Sequence, residues 1–105
     1  MITVKLSHTD GVVTKVSASG HSGYAKSGGD VVCAAVSTLV QTAYLAITDV
    51  VGDIRYERDA ARGYFEFEIP SLGDRHDADV ILRAMVVGLK DLSSGYPQYI
   101  KLEET

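Results

Sequence analysis

The sequence predicts an α+β fold in which two helices pack on one sheet, with the element order β-β-α-β-β-α-β. Several short segments alternate apolar and polar residues with the period of two that is typical of strands. Two longer segments repeat apolar residues at spacings of three and four, as helices with one buried face do. The chain has 105 residues, which is the length of one domain, and we assign residues 1–105 to it.

The first two strands are predicted to form a hairpin. Residues 2–7 alternate isoleucine, valine and leucine with threonine, lysine and serine, and residues 12–18 carry a second alternating run. Between them lies Asp10-Gly11, a dipeptide that favours the tight turn of a hairpin. The two runs are therefore expected to pair as neighbouring strands.

The first helix is predicted to begin after Asp30, a favourable N-cap, and to end before Gly52. Its apolar positions repeat at spacings of four, three, four and four residues. The face that these positions predict for the core consists of Val32, Val36, Leu39, Ala43 and Ile47.

The second half of the chain repeats the strand, strand, helix order. Residues 54–57 alternate, a turn is expected at 59–63, and a strand over 64–69 stops at Pro70. A second helix is predicted over 74–92 and a last strand over 98–103. The stripe expected to face the core of that helix contains Val80, Ala84, Val87 and either Asp91 or Leu92.

Composition excludes several classes of protein. The net charge of −4 argues against direct nucleic-acid binding, and the longest apolar run is six residues, where a membrane span needs about 20. The N-terminal residues alternate, unlike a signal peptide. Cys33 is the only cysteine, so it forms no internal disulfide or thiolate zinc site, and no histidine spacing indicates a metal or cofactor. We expect a cytoplasmic protein.

A glycine-rich segment separates the second strand from the first helix. Residues 20–29 contain four of the ten glycines, too many for a regular element. His21 stands at its start, and Cys33 follows it at the third helical position, where free N–H groups and the helix dipole favour a thiolate. A glycine loop can bring the two side by side as nucleophile and base. The alternatives are a buried core thiol and a surface histidine.

Two further residues near Cys33 each allow two interpretations. Asp30 either caps the helix or orients His21, and its charge opposes thiolate formation unless His21 engages it. Ser37 lies one helical turn after Cys33, where its hydroxyl either bonds within a site or back-bonds to the Cys33 carbonyl. Capping and back-bonding are the simpler interpretations.

The same residues resemble a known signature. The runs Gly20-His21-Ser22-Gly23 and Gly28-Gly29-Asp30-Val31-Val32-Cys33-Ala34-Ala35-Val36-Ser37 are similar to those of the ribosomal-processing cysteine proteases, the Prp family. Members carry Gly-His, a variable glycine-bearing loop, and then Asp-Ile/Val-Val-Cys-Ala-x-x-Ser. The family usually has alanine where this chain has Ser22. The resemblance covers essentially the whole chain.

The resemblance implies a bacterial, cytoplasmic cysteine endopeptidase, usually a homodimer, that acts in ribosome biogenesis. It would remove the short N-terminal extension of the basic twenty-seventh large-subunit ribosomal protein, cutting after an aromatic residue. Cys33 would be the nucleophile and His21 the general base, with Asp30 and Ser37 in support.

The remaining expectations concern the rest of the site. Backbone N–H groups of Cys33 and Ala34 would hold the oxyanion, and a loop containing Gly20, Ser22, Gly23, Gly28 and Gly29 would close over the peptide. The alternative function is a non-catalytic peptide-binding or ribosome-assembly module in which Cys33 is a core residue.

Overall fold

The structure is a computed structural model that describes residues 1–20, 30–70 and 75–105. Within these residues, five strands, two helices and one 3-10 turn follow the predicted order β-β-α-β-β-α-β, so the predicted fold is confirmed. The elements are β1 (Ile2–Thr9), β2 (Val12–Ser19), α1 (Val31–Val50), β3 (Arg55–Asp59), η1 (Ala60–Arg62), β4 (Tyr64–Glu68), α2 (His76–Gly95) and β5 (Ile100–Glu104).

The strands form one mixed sheet with the order β3-β4-β2-β1-β5. β1 and β5 pair in parallel, with Ile2 opposite Ile100, and the other neighbours pair antiparallel. The β1–β2 hairpin turns at Asp10 and Gly11, whose φ angles of 54° and 82° suit a primed turn that matches strand twist. The predicted hairpin is confirmed.

Both helices contribute to one core against the sheet. Each central strand buries alternate residues, such as Val4 and Leu6 in β1 and Phe65 and Phe67 in β4. On α1 the buried face differs from the prediction at one position, because Val40 is buried where Leu39 was expected. The buried residues of α1 are Val32, Val36, Val40, Ala43 and Ile47.

Leu39 instead contacts the second helix. A Cβ atom built on Gly88 of α2 would lie 3.1 Å from Leu39 Cδ2, so the two helices are close at this point. A glycine in α2 leaves room for the leucine side chain of α1. Leu39 is therefore a helix–helix contact rather than a sheet contact.

The predicted buried stripe of α2 is wrong. Val80 and Val87 are 53% and 69% exposed, and Ala84 and Asp91 are also exposed. Leu92, the alternative last member of that stripe, is partly buried against the core. The residues that pack into the core are Ala78, Leu82, Met85 and Leu89. They show the same spacing of four, three and four, displaced by two positions along the helix, and they include the larger apolar side chains.

Helix α1 is long and apolar enough to cross a membrane by length and composition alone. Its buried residues belong to the common core, and it contacts α2 and β2. The core helix of a water-soluble protein and a signal sequence meet the same criteria, so this match alone is weak evidence of a membrane span.

Candidate active site

The structure describes five of the residues predicted for the site. Gly20 follows the last residue of β2, Asp30 precedes α1, and Cys33, Ala34 and Ser37 lie in the first two turns of α1. The other predicted residues lie outside the described ranges. They are His21, Ser22, Gly23, Gly28 and Gly29.

Asp30 caps α1 through its side chain. The backbone N–H of Cys33 donates to Asp30 Oδ1 at 3.0 Å, which is the bond expected between an N-cap and the third helical residue. This bond fixes the backbone of Cys33 in the first turn of α1, so the thiol stands at the N-terminal end of the helix. The side chain is partly buried.

The two backbone N–H groups predicted to hold an oxyanion already have acceptors. Cys33 N–H donates to the Asp30 carboxylate, and Ala34 N–H donates to the Asp30 carbonyl oxygen at 3.1 Å. The second of these is an ordinary helical bond. An oxyanion beside Cys33 must therefore displace the Asp30 carboxylate before it can use the nearer N–H group.

Cys33 lines a cavity of about 360 Å³ between α1 and the sheet. On the helix side the wall contains Val36, Ser37, Val40 and Gln41. On the sheet side it contains Ile2, Ala18, Ser19, Gly20, Arg58, Ala60, Gly63, Tyr64 and Phe65. The thiol therefore opens onto a groove with apolar walls and a few polar groups, the arrangement usual for a ligand site.

Gly20 forms one end of this cavity and has no room for a side chain. Its φ angle is +90°, and a Cβ atom built there would lie 2.7 Å from the carbonyl oxygen of Met1. Both facts favour glycine at the position that precedes His21. The end of β2 is thereby held against the start of β1 beside the groove.

The far wall is built by η1 and the start of β4. Asp59 caps η1 by accepting the N–H groups of Ala61 and Arg62 at 3.1 and 3.3 Å. A side-chain hydrogen bond from Arg62 Nε, 2.8 Å long, holds the pKa of the Asp59 carboxyl below its usual range. The capped turn fixes the adjoining residues Ala60 and Gly63 in the groove wall.

Tyr64 lines the groove, but it alternates with the buried Phe65 and Phe67, so its phenol lies with Glu66 on the opposite face of the sheet. Its hydroxyl donates to Glu66 Oε1 at 2.6 Å, and this bond, which the phenolate would lose, raises the pKa of Tyr64 to about 12. The sequence places Tyr64 and Phe65 only in a predicted strand. Their place in the groove follows from the β2–β4 pairing, which no local pattern indicates.

The sequence matches the family model "Cysteine protease Prp" over residues 1–101. Proteins named "Ribosomal processing cysteine protease Prp" are similar over nearly their whole length. The Staphylococcus aureus protein is 33% identical over 107 residues, covering 97% of each chain. The Bacillus subtilis protein is 29% identical over 104 residues, covering 95% of this chain and 92% of the other.

Solved structures of similar proteins share the fold. The structure of the Staphylococcus aureus ribosomal processing protease Prp with a covalently linked product peptide superposes with a TM-score of 0.92, at 29% identity and full coverage of both chains. The structure of that protein with a substrate peptide gives a TM-score of 0.87 at 28% identity, again with full coverage of both chains.

Proposed function

We propose that this chain, which belongs to the Prp family of cysteine proteases, removes the short N-terminal extension of the twenty-seventh large-subunit ribosomal protein. The chain is a cysteine endopeptidase by family. Its relatives are ribosomal processing cysteine proteases, one of which has been crystallised with a substrate peptide. The substrate protein and the catalytic pair are the parts that we propose here.

The main support for Cys33 as the nucleophile is that the chain has a single cysteine. A cysteine protease requires a thiolate nucleophile, and this chain contains a single cysteine, Cys33. That residue lies at the N-terminus of a helix and lines a groove large enough for peptide side chains. Family membership and the location of the only thiol thus both support Cys33 Sγ as the nucleophile.

The choice of His21 as the base is supported by the positions of the other two histidines. His8 lies near the end of β1, where its Nδ1 is 3.1 Å from the Thr105 carbonyl oxygen. His76 is the first residue of α2. Neither lines the cavity at Cys33, whereas His21 directly follows Gly20, which does.

The proposed reaction is acyl transfer. His21 takes the proton of the Cys33 thiol, and Sγ attacks the scissile carbonyl carbon to form a tetrahedral intermediate. The carbon–nitrogen bond then breaks, and the imidazolium of His21 gives its proton to the leaving amine. Water, deprotonated by His21, attacks the thioester and releases the extension as a carboxylic acid with the thiol restored.

Asp30 has two parts in this scheme. Its carboxylate accepts from Cys33 N–H in the present structure, at 3.0 Å. We propose that it releases this group when the oxyanion forms and turns to the imidazolium of His21, whose positive charge then stabilises it. Ala34 N–H is the less available donor because its helical bond to the Asp30 carbonyl would have to open.

We also propose the compartment, the kind of substrate and the oligomeric state of the enzyme. The net charge of −4 suits a basic ribosomal substrate, and a lone reactive thiol suits the reducing cytoplasm. Burial in a small domain is limited, so a homodimer, as the family resemblance implies, would add to its stability. Ser37, which lines the groove one turn after Cys33, is placed to hydrogen-bond a bound peptide.

Incubation with a peptide that copies the extension and the first residues of the mature protein tests the proposal. Cleavage by the parent chain is expected, with loss of cleavage in Cys33→Ala and in His21→Ala. His8→Ala is the matched control and should cleave like the parent. If His8→Ala and His21→Ala behave alike, His21 is not the base, and cleavage by Cys33→Ala would refute the mechanism.

If the chain is instead a non-catalytic binding module, the Cys33 thiol should have a different reactivity. A nucleophile at a helix N-terminus should react with iodoacetamide well below pH 8.5, the approximate pKa of a free cysteine. A packing residue should resist alkylation until the chain unfolds. Binding of the peptide with neither cleavage nor early alkylation would favour the binding module.

A further inference from the structure

The two helices present an apolar surface on the side opposite the sheet. Val80 and Val87 of α2 are 53% and 69% exposed, and Val31 and Leu45 of α1 are 59% and 61% exposed. Val80, Val87 and Leu45 each follow a buried residue of their helix by two positions, about 200° around the helix axis, so they point away from the core. We call this surface the outer helix face. Its members, all exposed, are Val31, Ala34, Thr38, Thr42 and Leu45 of α1 and Val80, Ala84 and Val87 of α2.

The part of the outer helix face that belongs to α1 carries no charge. Residues 31–48 contain no aspartate, glutamate, lysine or arginine, and the first charged residue of the helix is Asp49. Only 28% of an apolar 18-residue window in this helix is buried within the protomer. A helix that packs on one side normally carries charged residues on the other. The composition of α1 therefore indicates that its outer side is covered in the assembled protein.

On α2, two opposite charges flank the centre of the outer helix face. Arg83 precedes Val87 by four residues and Asp91 follows it by four, so they lie about 6 Å to either side along the helix. Both side chains are exposed. In the part of the chain that the structure describes, neither forms an ion pair. The row Arg83-Val87-Asp91 is thus complementary to a second copy of itself that runs in the opposite direction.

A twofold axis beside Val87, at right angles to α2, would bring two such rows together. In an interface of this symmetry, residue i of one copy meets residue j of the other, and j meets i. Val87 would contact Val87 of the partner subunit, and Arg83 would lie level with Asp91 of the partner subunit, twice in each dimer. Opposite charges that face each other across an interface fix its register and exclude other orientations.

The same axis also matches the apolar residues of α1. Leu39 Cδ2 lies 3.1 Å from a Cβ atom built on Gly88, the neighbour of the central valine of α2, so Thr38 lies at the level of the axis. Val31 and Leu45 are seven residues to either side of Thr38, about 10 Å along the helix. The axis therefore places Val31 opposite Leu45 of the partner subunit. The charges of α2 and the apolar residues of α1 indicate one and the same arrangement.

The outer helix face is large enough for a stable dimer. Each helix has 20 residues, which is about 30 Å of length, and two packed helices are together about 20 Å wide. The face thus measures about 600 Å² on each copy. Two copies would bury about 1,200 Å², which is the lower end of the range for specific protein–protein interfaces.

We propose that a second copy of this chain docks on the outer helix face around this axis, so that the four helices stack between the two sheets. The inference rests on the homodimer of the proposed function and names its interface. Valine and leucine side chains form the contact between the copies, and the two pairs of Arg83 with the partner subunit's Asp91 set its orientation. A domain of this size, with its limited core, gains stability from the apolar area that such docking buries.

Sedimentation equilibrium of charge variants tests the interface. In Arg83→Glu and in Asp91→Arg, two pairs of like charge replace the two pairs of opposite charge. The double variant, Arg83→Glu with Asp91→Arg, restores both pairs with the signs exchanged. Lys5→Glu is the matched control because it makes the same change in net charge at an exposed residue. Lys5 alternates with buried residues of β1, so it lies on the side of the sheet away from the helices.

The parent chain and Lys5→Glu should form dimers with the same Kd, and each single variant should raise that Kd at least tenfold. The double variant should return to within about threefold of the parent. Single variants that dimerise like the parent, or a double variant that does not recover, would overturn the interface alone.

A parent chain that stays monomeric up to about 1 mM would overturn both the homodimer and its interface. Binding of that monomer to phosphatidylcholine vesicles would assign the outer helix face to a membrane surface instead. Cleavage of the extension peptide is measured separately on the same samples. Its absence in a dimeric parent chain would overturn the proposed protease function and leave the interface standing.

Discussion

Replacement of Gly20 by alanine tests how the structure holds the end of β2 beside the groove. The backbone at Gly20 has a φ angle of +90°, and the added Cβ would lie 2.7 Å from the Met1 carbonyl oxygen. That oxygen has little freedom to move. It belongs to the same peptide group as Ile2 N–H, which donates to the Tyr99 carbonyl oxygen at 2.9 Å.

Two effects that lower the unfolding free energy add in Gly20→Ala. A positive φ costs a residue other than glycine about 1–2 kcal/mol, and forcing an atom into a filled site costs about 1–3 kcal/mol more. The expected loss in unfolding free energy is therefore about 2–5 kcal/mol, a large share of the ~5–15 kcal/mol typical of a domain. At about 4 °C per kcal/mol, Tm should fall by about 8–20 °C.

Gly11→Ala is the matched control for this experiment. Gly11 has a nearly equal φ of +82°, but a Cβ built on it meets nothing within 4 Å. It should therefore show the conformational penalty alone, about 1–2 kcal/mol. Thermal and urea unfolding of both variants measure the difference. If Gly20→Ala is no less stable than Gly11→Ala, the close approach to Met1 has no energetic consequence, and the reasoning is refuted.

Three further outcomes follow from described contacts. Asp30→Ala should lower the unfolding free energy by about 1 kcal/mol, whereas Asp30→Asn, which keeps an acceptor for the helix, should lose much less on urea titration. The hydrogen bond to Glu66 raises the pKa of Tyr64 from 10.0 to about 12, so its contribution to stability is full below pH 10 and is lost as pH rises toward 12. Urea titrations between pH 8 and pH 11.5 measure how the unfolding free energy falls as pH rises. The part of this fall that Tyr64 causes should be absent in Tyr64→Phe, and a pH profile equal to that of the parent chain would contradict the prediction. Leu89→Ala should lower the unfolding free energy of the monomer by about 2–5 kcal/mol, and Val87→Ala by less than about 0.5 kcal/mol. If calorimetry gives the reverse order, the face of α2 that contains Val87 is the buried one.

Much of the element order was predictable because it is encoded locally. Strand alternation, the Asp10-Gly11 turn and the Asp30 cap each depend on neighbours in sequence, and the structure has all three. The position of Cys33 as third helical residue followed from the same cap. That position puts the thiol at the N-terminal end of a helix, which is what makes it a candidate nucleophile.

The errors and omissions arise where several local patterns compete or where only long-range pairing decides. Helix α2 carries two stripes with identical spacing, and the sequence pattern favours the exposed one, which continues to Asp91 or Leu92, over the buried one. The groove wall formed by Arg58 and Tyr64 depends on the β2–β4 pairing, which joins residues about fifty positions apart. The spacing of residues along the chain does not indicate that β2 and β4 lie side by side.

The parallel pairing of β1 with β5 has a consequence for how the molecule folds. Contacts between these strands join residues as far apart as Ser7 and Thr105, 98 positions in sequence. Closing a loop of that length costs roughly 4 kcal/mol in chain entropy beyond a constant, and such non-local pairing slows folding. The bond from Ile2 N–H to Tyr99 fixes the Met1 carbonyl against Gly20, so this rim of the groove forms only when the two strands meet. A partly folded chain would thus hold its thiol without a finished groove.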